Sequence, residues 1–252
     1  MPKKTILITN DDGINSEGIW ILKQHLKDVG NVFVVAPDRE RSATGHAITL
    51  HRPLRVEKVK KNAYKIDGTP TDCVILGYYT LLNGSKPDLV ISGINKGGNL
   101  GDDITYSGTV CAALEGAMLG IRSFAISLVA KTMHNFKPAA IFARELSQKL
   151  LAKGLPDNLV LNVNVPNLNG HSKAKGVKIT KQGKRKYGEV VIQKTDPRGK
   201  SYYWIGGNEE PVKNERNTDI AAVLNGYISI TPITLDMTDY KEKKFIKSIK
   251  FI

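Results

Sequence analysis

The sequence predicts an α/β fold: a doubly wound, mostly parallel sheet over residues 1–169, followed by a β-rich extension over residues 170–252. Three observations predict it. Short, continuous apolar runs, such as Thr5-Ile6-Leu7-Ile8-Thr9 and Val32-Phe33-Val34-Val35-Ala36, read as strands buried on both faces, as a parallel sheet requires. Segments of helical spacing separate these runs, which makes strand–helix–strand crossover units. From about residue 170, lysines and glycines rise and alternation replaces the apolar runs.

Taken in order, the first strand ends in the turn Asn10-Asp11-Asp12-Gly13. Residues 16–29 read as a helix, with Ile19, Ile21, Leu22 and Leu26 near helical spacing and Gly30 at the stop. The second strand closes at Pro37-Asp38, and residues 39–45 are polar and aperiodic, a loop. Residues 47–67 alternate, with Ile48, Leu50, Leu54, Val56 and Val59 among charges, and suggest antiparallel strands or a hairpin. Residues 68–72 are a turn and helix start, and 72–82 a helix. Leu89-Val90-Ile91-Ser92 is a buried strand, followed by a long Gly/Asn/Asp loop over 93–108. Residues 109–119 form an Ala-rich helix, 123–128 a strand, 139–153 a helix and 159–165 a last core strand. In the extension, 187–205 reads as an exposed two-stranded ribbon, 218–224 as a short helix and 226–232 as a strand returning to the core, before a C-terminal tail.

Of the 252 residues, 41% are hydrophobic and 24% charged, an ordinary balance for a globular protein. No apolar run approaches the roughly 20 residues that span a bilayer. Residues 1–4 lead straight into a strand pattern without a targeting segment, so a cytoplasmic location and no membrane partner are expected. Cys73 and Cys111 sit in apolar surroundings and are expected to be buried, reduced thiols. The net charge of +13 is uneven: residues 1–130 hold 15 Lys and Arg against 13 Asp and Glu, and residues 131–252 hold 22 against 11. The excess is scattered lysine, read as a solvated surface; nucleic acid is the minority reading for a main partner.

Ligands of open parallel sheets bind outside the carboxyl ends of the strands, so four strand ends matter. Asp11 and Asp12 are adjacent carboxylates, which repel unless a cation joins them, and oxygen ligands suit Mg²⁺ or Mn²⁺; a plain turn is the competing reading. In the segment 37–46, Ser42 offers a hydroxyl ligand and His46 an imidazole. In the loop 93–108, Asn95 offers a carbonyl oxygen to a metal, and Asn99 an N–H to phosphate. Ser107-Gly108-Thr109 opens a helix, where hydroxyls and free backbone N–H groups form an anion site, with simple capping as the alternative. Together these describe one cation beside a phosphate cradle.

The same residues carry a family resemblance. Residues 6–13 (Ile-Leu-Ile-Thr-Asn-Asp-Asp-Gly), Gly68-Thr69-Pro70-Thr71-Asp72-Cys73, Ser92-Gly93-Ile94-Asn95 with Asn99-Leu100-Gly101, Tyr106-Ser107-Gly108-Thr109-Val110 and residues 226–233 resemble the SurE family of survival-protein nucleotidases. The resemblance implies a Rossmann-like fold and one divalent metal ion per subunit, Mg²⁺ or Mn²⁺. It implies hydrolysis of nucleoside 5'-monophosphates, with 3'-monophosphates and short polyphosphate as further substrates. By motif position it makes Asp11, Asp12, Ser42 and Asn95 the metal ligands, with Asp11 and Asp12 catalytic. Asn99, Ser107, Gly108 and Thr109 would contact the phosphate. It also implies a homodimer or homotetramer built by exchange of the C-terminal hairpin and tail. Thr71 departs from the family pattern, where Ala is frequent.

His46 is a candidate contact to the substrate and proton donor to the leaving nucleoside, with a structural hydrogen bond as the commoner role for such a residue. Two rival functions are weaker. A phosphatase with an aspartate nucleophile after the first strand needs two aspartates separated by one residue, and here they are adjacent. A nucleic-acid-binding module would rest on the basic half alone, without motifs for base stacking.

Overall fold

In chain order the elements are β1 (Thr5–Thr9), α1 (Glu17–His25), β2 (Asn31–Pro37), β3 (Val56–Lys60), β4 (Ala63–Ile66), α2 (Pro70–Leu76), β5 (Leu89–Lys96), α3 (Gly108–Met118), β6 (Ser123–Val129), α4 (Lys137–Lys153) and β7 (Leu159–Pro166). The C-terminal part adds β8 (Val177–Ile179), β9 (Val191–Thr195), β10 (Ser201–Ile205), α5 (Asp219–Leu224), β11 (Ile228–Thr234) and α6 (Lys243–Ser248). The computed structural model describes residues 3–82, 84–130, 132–167, 173–185, 191–206 and 215–249. Nine strands form one sheet in the order β3-β4-β2-β1-β5-β6-β7-β11-β8. The run from β4 to β7 is parallel, β3 pairs antiparallel with β4, and β11 pairs antiparallel with β7 and parallel with β8.

Side-chain alternation explains the unbroken apolar runs. Ile6 and Ile8 enter one core layer with Val34, Ile91, Ile126 and Val163, while Leu7 enters the other with Val35 and Val90. On the first face α1 brings Ile19 and Leu22, and α4 brings Ala139, Ala143 and Leu146. On the second, α2 brings Cys73 and Val74, and α3 brings Ala112, with Val110 and Ala113 packed on Ala125 and Val160.

This layering fixes the hands of the connections. α1 carries the chain from β1 to β2 in one direction along the sheet, and α4 carries it from β6 to β7 in the other. Both lie on the same face, so the two crossovers have opposite hands. α3 runs in the direction of α4 on the opposite face and shares the hand of α1. Since right-handed crossovers are the strong rule, β6–α4–β7 is the left-handed exception.

Several boundaries differ from the sequence reading for local reasons. α1 ends at His25 because the chain turns back to the sheet: Gly30 donates to Leu26 O (3.2 Å) and Asn31 to Lys4 O (2.7 Å). α2 starts at Pro70, two residues early, because Thr69 and Asp72 form a reciprocal capping box. The Asp72 carboxylate also accepts from Thr49 N–H (3.0 Å) and Thr49 Oγ1–H (2.7 Å), so the start of the segment 47–67 is tied to α2 and only residues 56–66 form the hairpin. The expected loop 93–108 is partly ordered: β5 runs to Lys96, and Gly101–Thr105 is a 3₁₀ turn. β9 and β10 form the expected ribbon, while its first residues, 187–190, lie outside the described residues.

Candidate active site

β1 lies between β2 and β5, and the connections diverge there, so a crevice opens at the carboxyl ends of β1 and β5. Asp11 and Asp12 follow β1 after Asn10, and Asn95 and Lys96 end β5. Gly13 turns the chain at φ +88° and packs on Arg39, and Ile14 N–H donates to Pro37 O (2.8 Å), so the segment after β2 lies against the acidic turn.

Asp11 is buried, at 5% exposure. Its Oδ1 accepts the Thr109 hydroxyl and its Oδ2 the Thr109 N–H (3.2 Å), which seats the N-terminus of α3 on the carboxylate. Its backbone carbonyl accepts from Arg41 N–H (2.7 Å), which fastens the Ser42 loop to the same residue. Asp12 Oδ2 accepts the Lys96 N–H (3.0 Å). Burial, then the charge of Asp11, pushes the Asp12 carboxyl up to about 6, and burial raises Asp11 against the lowering bonds from Thr109.

Ser107 caps α3 by accepting from Val110 N–H (3.0 Å). Gly108 is packed so closely that a Cβ there would lie 3.0 Å from Asp11 Cβ and 3.1 Å from Thr44 Oγ1. Ser42 is exposed and its hydroxyl donates to Glu40 Oε1 (2.6 Å). Asn95 donates its Nδ2 to Gly97 O (2.9 Å), which turns the amide oxygen the other way. Asn99 belongs to a buried amide network: its Nδ2 donates to Ser127 Oγ (2.7 Å), its N–H to Asn164 Oδ1 (2.9 Å), and its carbonyl accepts from Asn162 and Asn164 (2.8 and 2.9 Å).

Asp11, Asp12, Gly108 and Thr109 are thus in one cluster, with Ser42 and Asn95 next in the chain to residues that bond it. His46 stands apart. Its Nε2 pairs with Glu115 Oε2 (3.0 Å), seven residues into α3, about 10 Å along the helix from Gly108 at ~1.5 Å per residue.

The donor set fits a hard divalent cation. Two adjacent carboxylates, Asp11 buried and Asp12 half-buried, have no ion-pair partner among the described residues, and the remaining candidate ligands are neutral oxygens. Among the described residues no group of three or more His, Cys, Asp and Glu is placed to hold a metal ion, the composition that zinc sites favour.

The sequence reading missed Thr44, Ser127, Asn162, Asn164 and Glu115. For the asparagines a signal existed: two amides at alternate positions of an apolar core strand must be bonded inside the fold. Thr44 and Glu115 carry no such signal, because only packing brings them to the site.

Comparison with known proteins identifies the family. Residues 6–189 match the family model described as survival protein SurE. A protein named 5'-nucleotidase SurE from Geobacter sulfurreducens is 54% identical over 245 residues, covering 96% of this chain and 92% of the relative. Its namesake from Aquifex aeolicus is 49% identical over 247 residues, covering 98% of each chain. The crystal structure of the SurE protein from Aquifex aeolicus has a TM-score of 0.88 at 50% identity and covers 96% of this chain and 98% of its own. With the carboxylate turn, the amide-rich strand end and the capped helix all in place, this chain belongs to the survival protein SurE family.

Proposed function

We propose that the chain is a metal-dependent 5'-nucleotidase, which hydrolyses nucleoside 5'-monophosphates to nucleoside and phosphate. One observation carries the reading: at the switch point of the sheet a buried carboxylate, Asp11, is seated against the N-terminus of α3, with the half-buried carboxylate of Asp12 beside it. The names of the relatives point to the same reaction. In this proposal Asp11, Asp12, Ser42 and Asn95 hold one Mg²⁺ or Mn²⁺ ion. A bound divalent ion supplies positive charge for the phosphate oxygens and acidifies a neighbouring water.

The chain's own groups do the rest. Ser107, Gly108 and Thr109 present the helix N-terminus to the phosphate and stabilise charge on its equatorial oxygens. Asn99, held rigid by Ser127 and the two strand asparagines, supports that cradle with its amide. Asp12, less buried than Asp11, accepts a hydrogen bond from the attacking water and aligns it with the P–O bond. The hydrogen bond with Glu115 favours a loop-anchoring role for His46 over proton donation.

The same site would accept 3'-monophosphates and short polyphosphate, since the cradle reads phosphate rather than the group that leaves. The exposed apolar ribbon β9–β10 supports a homodimer or homotetramer formed through the extension. No helix among the described residues is long and apolar enough to cross a membrane. Cys73 and Cys111 are buried free thiols, the state a reducing cytoplasm maintains.

The test is phosphate release from a panel of nucleoside monophosphates with Mn²⁺, with Mg²⁺ and with chelator. Release is expected to stop in chelator and return with metal. Asp11→Asn is expected to lower kcat by roughly 10³-fold, the scale set by loss of a preorganised electrostatic partner, with the fold intact by circular dichroism. Full activity in chelator, or in the variant, would end the assignment.

A further inference from the structure

A cavity of about 370 Å³ opens beside Asp12, between the first turn of α1 and the segment that follows β6. That volume lies in the range small-molecule sites use, ~300–1,000 Å³. Its walls include Asp12, Glu17, Glu40, Lys96, His134 and Phe136.

The aromatic wall is fixed from behind. Phe136 is 4% exposed and packs on α1 so closely that a Cβ on Gly18 would lie 3.2 Å from its ring. The His134 ring lies over Phe136, with centroids 5.9 Å apart and planes 19° apart. An imidazole held in one plane at the side of a cavity is a stacking platform for another flat ring. Glu17 is exposed on the first turn of α1 and presents a carboxylate to the same space. Glu40 is already engaged by the Ser42 hydroxyl.

The charges suit a neutral, hydroxyl-rich group. With Asp12 given to the proposed ion, Glu17 and Glu40 face Lys96 and His134 here, an arrangement that offers a second phosphate no cationic clamp. A carboxylate is an acceptor for sugar hydroxyls, as at the ribose subsites of dinucleotide folds. Asp12 links this cavity to the phosphate cradle, because its neighbour Asp11 is bonded to Thr109.

We infer that the nucleoside half of the substrate lies in this cavity, with its base stacked on His134 and its ribose hydroxyls donating to Glu17. The inference rests on the nucleotidase reading above. It assigns recognition to stacking and the sugar, so the enzyme takes purines and pyrimidines alike and prefers ribonucleotides to deoxyribonucleotides.

The experiment is steady-state kinetics of the full chain with Mn²⁺ on a ribonucleoside 5'-monophosphate, its 2'-deoxy counterpart and 4-nitrophenyl phosphate. For His134→Ala, the ratio of kcat/KM for the ribonucleotide to that for 4-nitrophenyl phosphate is expected to fall about tenfold, through KM, the scale of losing one base-stacking contact. For Glu17→Gln, the ribo-to-deoxyribo ratio is expected to fall by about the same factor. Wild-type ratios in both variants, including a uniform loss on all three substrates, overturn the placement while leaving the phosphatase reading standing. A wild-type chain inactive on all three phosphates overturns that reading and the placement with it.

Discussion

Asp11 and Asp12 repel each other across one peptide unit, in surroundings that exclude most of the water that would screen them. Folding accepts that repulsion because Thr109 and the Lys96 amide bond the two side chains. Removing one charge therefore relieves the fold when metal is absent. Asp12→Asn keeps an oxygen for the Lys96 N–H and is expected to raise Tm in chelator by ~2–4 °C, the shift that ~1 kcal/mol gives a chain of this size. Mn²⁺ is expected to raise Tm of the wild-type chain and to leave the variant unmoved; thermal scans with and without metal check both. His46 makes the opposite case. Loss of a proton donor costs about 10²–10⁴-fold in rate. Its pairing with Glu115 predicts less than about tenfold loss of kcat for His46→Gln, measured on nucleoside monophosphate under saturating metal.

At the scale of elements, the site is made by where strands and helices stop. β1 stops at two carboxylates, β5 at Asn95 and Lys96, and α3 starts on Asp11. Gly108 shows how tight that junction is. In an ordinary first turn of a helix, Gly→Ala is mildly stabilising, by up to ~1 kcal/mol. Here the added methyl would press on Asp11 and Thr44 at 3.0–3.1 Å. Gly108→Ala is therefore expected to change Tm by less than about 4 °C yet lower kcat/KM about tenfold or more, by pushing the α3 terminus off the carboxylate. Equal activity in the variant would mean that the junction has slack. The amide network behind it was half legible in the sequence: Asn162 and Asn164 announce a buried polar demand, and only the pairing of β6 with β7 shows that Asn99 and Ser127 meet it.

For the whole molecule, the extension divides into two kinds of structure. β8 and β11 complete the main sheet, whereas β9 and β10 stand apart from it as a two-stranded ribbon. The ribbon exposes Val191, Ile192, Tyr202, Tyr203, Trp204 and Ile205, too much apolar surface on too few strands to stand well alone in water. A second copy of the chain is the expected cover. Trp204 is 62% exposed, so Trp204→Glu leaves the monomer core untouched. It is expected to shift the sedimentation profile from dimer or tetramer to a smaller species. A wild-type chain that sediments as a monomer at micromolar concentration would remove this account of the ribbon.

The sequence by itself determined the α/β class, the succession of buried strands and the acidic turn, because each is written in local composition: period, apolar runs and turn chemistry act within about ten residues. It also placed Asp11, Asp12, Asn95 and Ser107-Gly108-Thr109 at the ends of elements, which in a parallel sheet means one edge. Tertiary structure alone decided which face each helix covers, including the left-handed passage through α4, since handedness depends on packing between layers and leaves no local trace. It alone brought Thr44 to Gly108, Glu115 to His46 and the His134–Phe136 pair beside Asp12, because these contacts close over long stretches of chain whose own patterns are those of ordinary loops and helices.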